Sequence, residues 1–331
     1  MSLPAIPVAR RTILSIWRPA IVALLLLLAL SPRGVPAGVG ASSAATWNRL
    51  TEQLQPPARS QFGMTIDRTG TLYVYGGRGP DSGPLADFWR LRHGDTRWQQ
   101  LSNTVVPALI EPHLAADAAG NVFEFGGIVT SDANHVTADG HSYGLYEYVA
   151  AQDAWTDVTT ATSQPSGDWP QGREDHGFAY DAGSGDFYVF AGEGSGESSL
   201  NDMWRYDERT HLWTQIKQRF DRAVRIDARE IYNITPDNHG GIWLFGGAYL
   251  FDAQGKRAPW GYVNDLWRFD IATSTWHLVA GQANAYDPSL PVPRHYYGQA
   301  ADAEGNFYIL GGYLSAAGAL PYFDDDDSSL Y

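Results

Sequence analysis

The chain has 331 residues, and its 37 acidic against 23 basic side chains give a formal net charge of -14, a poor surface for a phosphate backbone. Nucleic acid is therefore not an expected partner. No cysteine is present, which removes disulfides, thiolate metal sites and cysteine nucleophiles together. The glycine count of 35, with 12 tryptophans and 18 tyrosines, suits many short strands joined by turns, so the predicted class is all-β.

The first 41 residues hold Arg10, Arg11, Arg18 and Arg33 and no acid, and the run from Ala20 to Leu30 is apolar throughout. Pro32, Gly34 and the small-residue stretch ending at Val39-Gly40-Ala41 follow it. This order predicts a signal peptide over 1–41, or an N-terminal membrane anchor if it is retained. Residues 42–331 would then lie outside the cytoplasm (secreted, periplasmic or cell-surface), with any membrane contact made through the N-terminal segment alone.

Beyond the linker, Trp47-Asn48-Arg49-Leu50 reads as a lone fourth strand, and five repeated units follow it. Each opens on a strand closed by an aspartate (Asp67, Asp117, Asp181, Asp237, Asp302) that starts a glycine-containing hairpin turn. A second strand ends on a glycine pair or a close variant at Gly76-Gly77, Gly126-Gly127, Ala191-Gly192, Gly246-Gly247 and Gly311-Gly312. A third strand carries Asp-x-Trp-Arg or a relative of it, as in Asp202-Met203-Trp204-Arg205 and Asp265-Leu266-Trp267-Arg268. The fourth holds a lone tryptophan: Trp98, Trp155, Trp213 and Trp276. In the second unit Leu145-Tyr146-Glu147-Tyr148 stands in for the third strand, and the fifth stops at Ser328-Ser329-Leu330-Tyr331 before its last two strands. That last unit is thus expected to be incomplete.

A Gly-Gly after an apolar strand and one tryptophan per unit, repeated at intervals of 50 to 65 residues, resembles the Kelch repeat. The resemblance implies a β-propeller of four-stranded blades over 42–331, with about five repeats visible. Long loops (78–86, 128–144, 193–201, 248–264 and others) fall on one face, where binding is expected. Arg59, Arg173, Arg229 and Arg294 each stand eight residues before the aspartate of their unit, where the second unit has Leu109. Two readings of them are open. They could ring the channel mouth and grip an anion, helped by Glu174 and Glu230, or they could pair with neighbouring carboxylates and carbonyls inside the blades.

Trp169 and Trp260, with Tyr143, Tyr249 and Tyr262, fall in the long loops and are candidates for sugar or protein contact. His113, His176 and His295, with Glu111 and Asp175, come near the same mouth but share no single register position, so no metal site is expected from them. The run Asp324 to Asp327 lacks the alternating spacing of a calcium loop. Among enzymes of similar architecture, copper oxidases of the galactose oxidase type need a cysteine that this chain lacks, and the repeated turn motif of sialidases does not occur. Sialic acid mutarotases of the Kelch type bind an acidic sugar with arginine and glutamate, and that remains the alternative. The principal expectation is a secreted or surface-exposed module binding a protein or carbohydrate ligand at the mouth, without a cofactor.

Overall fold

The structure, a computed structural model, describes residues 54–130, 133–159, 169–196, 198–231, 233–251 and 257–314. The expected leader 1–41, the lone strand at Trp47 and the acidic run at Asp324 lie outside the described residues. Every described element is a strand. Blade one is a meander of Gly63–Ile66, Leu72–Tyr75, Phe88–Leu91 and Gln99–Leu101, paired in chain order. Blade two runs the same way through His113–Ala116, Val122–Phe125, Leu145–Val149 and Ala154–Asp157. Blade three has Gly177–Asp181, Asp186–Gly194, Ser198–Asp207 and Leu212–Gln215, and blade four Thr235–Pro236, Gly241–Phe251, Arg257–Asp270 and Thr275–Ala280. A fifth strand, Arg219–Phe220, runs parallel to Thr275–Ala280 at the edge of blade four. Of blade five the described strands are Gly298–Ala301 paired with Phe307–Leu310, and Arg294–His295 paired with Tyr313–Leu314.

Each turn aspartate accepts backbone amides of its own hairpin. Thr71, Asn121 and Asn306 donate to Asp67, Asp117 and Asp302 at 2.8–3.0 Å, Ser184 to Asp181 at 2.7 Å, and Gly241 to Asp237 at 2.8 Å. A side-chain acceptor on the turn satisfies amides that the ladder leaves over, which is why one residue type recurs at this position.

The core lies between blades. Because successive strand residues point to opposite faces, Tyr188 and Phe190 pack with Ile242, Leu244 and Trp276 of blade four. Phe187 and Val189, one step out of phase, pack with Phe123 and Phe125 of blade two. Strands buried on both faces read as continuous apolar runs, as Phe187 to Phe190 and Ile242 to Phe245 do. The matching third-strand aromatics Trp89, Tyr146, Trp204 and Trp267 are all buried, as their regularity implied.

Two of the expected long loops are strands instead. Past the glycine pair, blade three continues to Gly194 and returns from Ser198, and blade four continues to Phe251 and returns from Arg257. The register shifts between Phe190 and Gly192 and between Phe245 and Gly247 let the ladder resume beyond the kink. Trp260 and Tyr262 are therefore strand residues of this extended hairpin, as is Tyr249 on its outgoing arm. A glycine pair signals a bulge as well as a strand end, and the sequence alone does not separate the two.

Candidate functional site at the channel mouth

The arginines brace the blades that carry them. Arg229 Nη1 donates to the Gly246 carbonyl at 2.9 Å and to Asp265 Oδ1 at 2.7 Å, Nη2 donates to Asp265 Oδ2 at 3.2 Å, and Trp267 Nε1 donates to the same carboxylate at 2.8 Å. Arg173 repeats this with the Ala191 carbonyl, Asp202 and Trp204, and Arg59 with the Gly76 carbonyl, Asp87 and Trp89. Arg294 Nη1 donates to the Gly311 carbonyl at 2.9 Å and its Nε to the Val292 carbonyl at 3.3 Å. Three of these arginines, Arg173, Arg229 and Arg294, have no exposed surface. Burial pushes Asp87 and Asp202 up, and the guanidinium beside each outweighs it and holds the carboxyl below its ordinary value.

Blade two corroborates this role by losing every member of the brace together. Leu109 replaces the arginine, Gly144 the aspartate and Tyr146 the tryptophan. The Tyr146 hydroxyl fills the space of the missing acid, since a Cβ on Gly144 would meet it at 2.8 Å.

The glycine pairs stitch neighbouring blades through their second amide. Gly77 donates to the Leu109 carbonyl at 2.8 Å, Gly127 to that of Arg173 at 2.9 Å, and Gly192 to that of Arg229 at 3.0 Å. A Cβ at Gly192 would stand 2.5 Å from the Glu174 carbonyl oxygen, which excludes any side chain there.

A second set of polar groups stands one and two positions further along the chain from the arginine position. Gln61, Glu111, Asp175 and Tyr296 lie six residues before the turn aspartates of their blades, and all four adopt left-handed backbone with φ of 49° to 56°. The Gln61 amide and the Tyr296 hydroxyl both donate to Glu111 Oε1, the latter at 3.1 Å, which draws side chains of blades one, two and five together.

Around them gather Glu174, Glu193 and Glu230. Burial pushes Glu230 up to about 9, and the charge of Glu193 and a hydrogen bond to it push the same way. Asp175 is raised well above its ordinary value by burial first and then by the charges of Glu111 and Glu230. These neighbouring carboxyl groups thus push one another's values up. Beside them, burial alone would push His141 down, but the Glu174 carboxyl 3.7 Å from its Nε2 and the hydrogen bond of its Nδ1 with Asp139 outweigh it and hold it up at about 8.

The expected site residues thus divide. Glu174 and Glu230 lie in the cluster of acids, and the four arginines are hydrogen-bonded within their own blades. Trp169 is half-buried, donates Nε1 to the Tyr143 carbonyl at 2.8 Å and stands edge-on to Trp213 at 5.8 Å. The rings of His113 and His176 lie tilted at 42° with centres 4.2 Å apart, and burial lowers both, His113 to about 4. Equal register was too strict a requirement, because the first strands of neighbouring blades bring non-equivalent positions side by side. Gln61, His141, Glu193 and Tyr296 were not anticipated, although counting six residues back instead of eight finds the first and last of them. A separate cavity of 610 Å³ is lined by Tyr188, Arg205, Lys217, Arg219 and 271–274 and includes no mouth residue.

Comparison with known proteins agrees with this architecture. Residues 41–315 match the model of the Attractin/LZTR1 beta-propeller family. The Kelch domain-containing protein 10 of Homo sapiens is 23% identical over 274 residues, covering 78% of this chain and 56% of the relative, and that of Mus musculus gives the same figures. The chain therefore spans little more than half the length of these relatives. Human multiple epidermal growth factor-like domains protein 8 is 27% identical over 173 residues, covering 51% of this chain and 5% of that protein. The solved structure of YjhT superposes with a TM-score of 0.55 at 14% identity, covering 80% of this chain and 75% of that one, a likeness of fold. With its repeats, its blades and its family match in agreement, this chain belongs to the Attractin/LZTR1 family of Kelch-type β-propellers.

Proposed function

We propose that the protein is an exported protein-binding module whose channel mouth receives a ligand rich in cationic and hydrogen-bond-donating groups. The observation that supports the reading is the division of charge: Arg59, Arg173 and Arg229 are engaged by aspartates inside their blades, whereas Glu111, Glu174, Asp175, Glu193 and Glu230 lie close to one another. An acidic sugar would meet carboxylates where the mutarotase alternative requires guanidinium groups, so the same observation weighs against that alternative. Export is supported by the basic, apolar and small-residue order of 1–41, and N-terminal sequencing of protein recovered outside the cytoplasm tests it.

The binding test is a screen of the full chain against arrays of basic and acidic peptides, with acidic monosaccharides followed by NMR for anomer exchange. Selective capture of basic peptides, weakened by Glu111→Gln, is the expected result. Accelerated anomer exchange of an acidic sugar overturns the reading.

A further inference from the structure

We propose that His141, Glu174 and Glu193 form a site for a divalent transition-metal ion of the zinc class. The three side chains present one donor atom each, all within 4.8 Å of one another. Glu174 and Glu193 are direct cross-strand partners in the antiparallel ladder between Arg173–Glu174 and Asp186–Gly194. Like charges placed opposite each other in a ladder are destabilising, and a cation between them reverses that sign.

A second observation points to a ligand independently of the acids. His141 is 5% exposed, and its Nε2 is buried with no hydrogen bond, 3.7 Å from a Glu174 oxygen. Its other ring nitrogen, Nδ1, is fixed by Asp139 Oδ1 at 3.1 Å. Asp139 is itself held by the Thr137 hydroxyl at 2.6 Å, the Ser195 hydroxyl at 3.0 Å and the Gly196 amide at 2.8 Å. A carboxylate that orients one imidazole nitrogen and leaves the other aimed at acids is the usual support of a metal-bound histidine. Glu230, 1% exposed, adds a buried Oε1 with no hydrogen-bond partner beside Glu193.

The donor set of one imidazole and two carboxylates suits Zn²⁺ better than Ca²⁺, which favours oxygen alone. Bonds of about 2.0–2.2 Å would draw the three donors inward from their present spacing, a movement that carboxylate rotation supplies. Such an ion would tie the 128–144 loop of blade two to the extended hairpin of blade three. This inference does not depend on the class of partner proposed above.

The test is titration of the chelator-treated full chain with Zn²⁺ and separately with Ca²⁺, read by calorimetry, by melting temperature and by X-ray absorption at the zinc edge. Expected are one tight equivalent of Zn²⁺, a higher melting temperature and a single imidazole in the zinc shell, with Ca²⁺ giving no such shift. His141→Ala and Glu174→Gln should each weaken zinc binding at least ~10-fold, Asp139→Asn should weaken it about 10-fold through the ring orientation, and exposed Glu304→Gln should leave it unchanged. No stoichiometric zinc, equal affinity in folded Glu174→Gln, or a shell without imidazole overturns the proposal.

Discussion

Single residues of this protein carry their consequences through burial. Arg229 and Asp265 are both without exposed side-chain surface, whereas Asp87, the partner of Arg59, retains 16%. Removing one member of a buried pair strands the other charge at a cost of about 3–5 kcal/mol. Arg229→Ala should therefore lower the melting temperature more than Arg59→Ala, whose orphaned aspartate regains water; equal losses would contradict this account. Glu124 poses the opposite problem, since it is fully buried on a central strand and neither carboxyl oxygen has a hydrogen-bond partner. Burial raises it well above the ordinary carboxylate range, so the folded state holds a proton that the unfolded chain releases above about pH 4.3. Stability from this group is fully present below that pH and is lost as pH climbs toward the folded value. Glu124→Gln should accordingly stabilise the protein at pH 7 by about 1–3 kcal/mol and narrow the difference between denaturation midpoints at pH 5 and pH 7. An unchanged pH dependence would show that Glu124 does not titrate in this way.

Strands and turns show which parts of the fold are legible in sequence. The turn aspartates can be read because they meet one physical demand in all five blades. The tryptophans Trp155, Trp213 and Trp276 can be read because each is buried on the fourth strand of its blade, whereas Trp98 stands one residue before Gln99–Leu101 and is half-buried. The extended hairpins are hidden because the glycine pair that ends a strand in blade one is a bulge within a longer ladder in blades three and four. The brace was open to two readings because its arginine and its aspartate stand 28 to 36 residues apart, and only the pairing of strands shows that they meet. The mouth was located only in part, since its polar groups differ from blade to blade and share a backbone conformation instead of a residue type. Ala191 shows the same backbone demand, holding φ of 60° where the other blades have glycine. Ala191→Gly should be neutral or stabilising by up to about 1 kcal/mol, because relief of left-handed strain offsets the added chain entropy. Gly192→Ala combines φ of 100° with the 2.5 Å approach to the Glu174 carbonyl and should cost several kcal/mol, a fall of about 5–10 °C in melting temperature. If the two substitutions behaved alike, the strand-end geometry would not be what selects glycine.

On the scale of the whole molecule, the question is how a surface with 14 more acidic than basic charges meets its partner. The blades keep their arginines for internal pairing, so on the proposed reading a cationic partner meets the acidic surface of the chain and the acids gathered near Glu111. At physiological ionic strength a charge is felt over about 8 Å, and at tenfold lower salt over roughly three times that distance. A cationic partner would therefore be steered toward the mouth from further away as salt is removed, and the effect should appear in the association rate more than in dissociation. We expect the association rate of a captured basic peptide to fall about tenfold between 20 and 200 mM salt, with a much smaller change in its dissociation rate. Stopped-flow or surface-binding kinetics on the full chain provide the measurement. Glu111→Gln should flatten the salt dependence of association, because it removes charge at the point toward which the peptide is drawn. A partner held instead by aromatic and apolar contacts on the extended hairpins would associate at a rate indifferent to salt, and that outcome would move the binding surface away from the mouth.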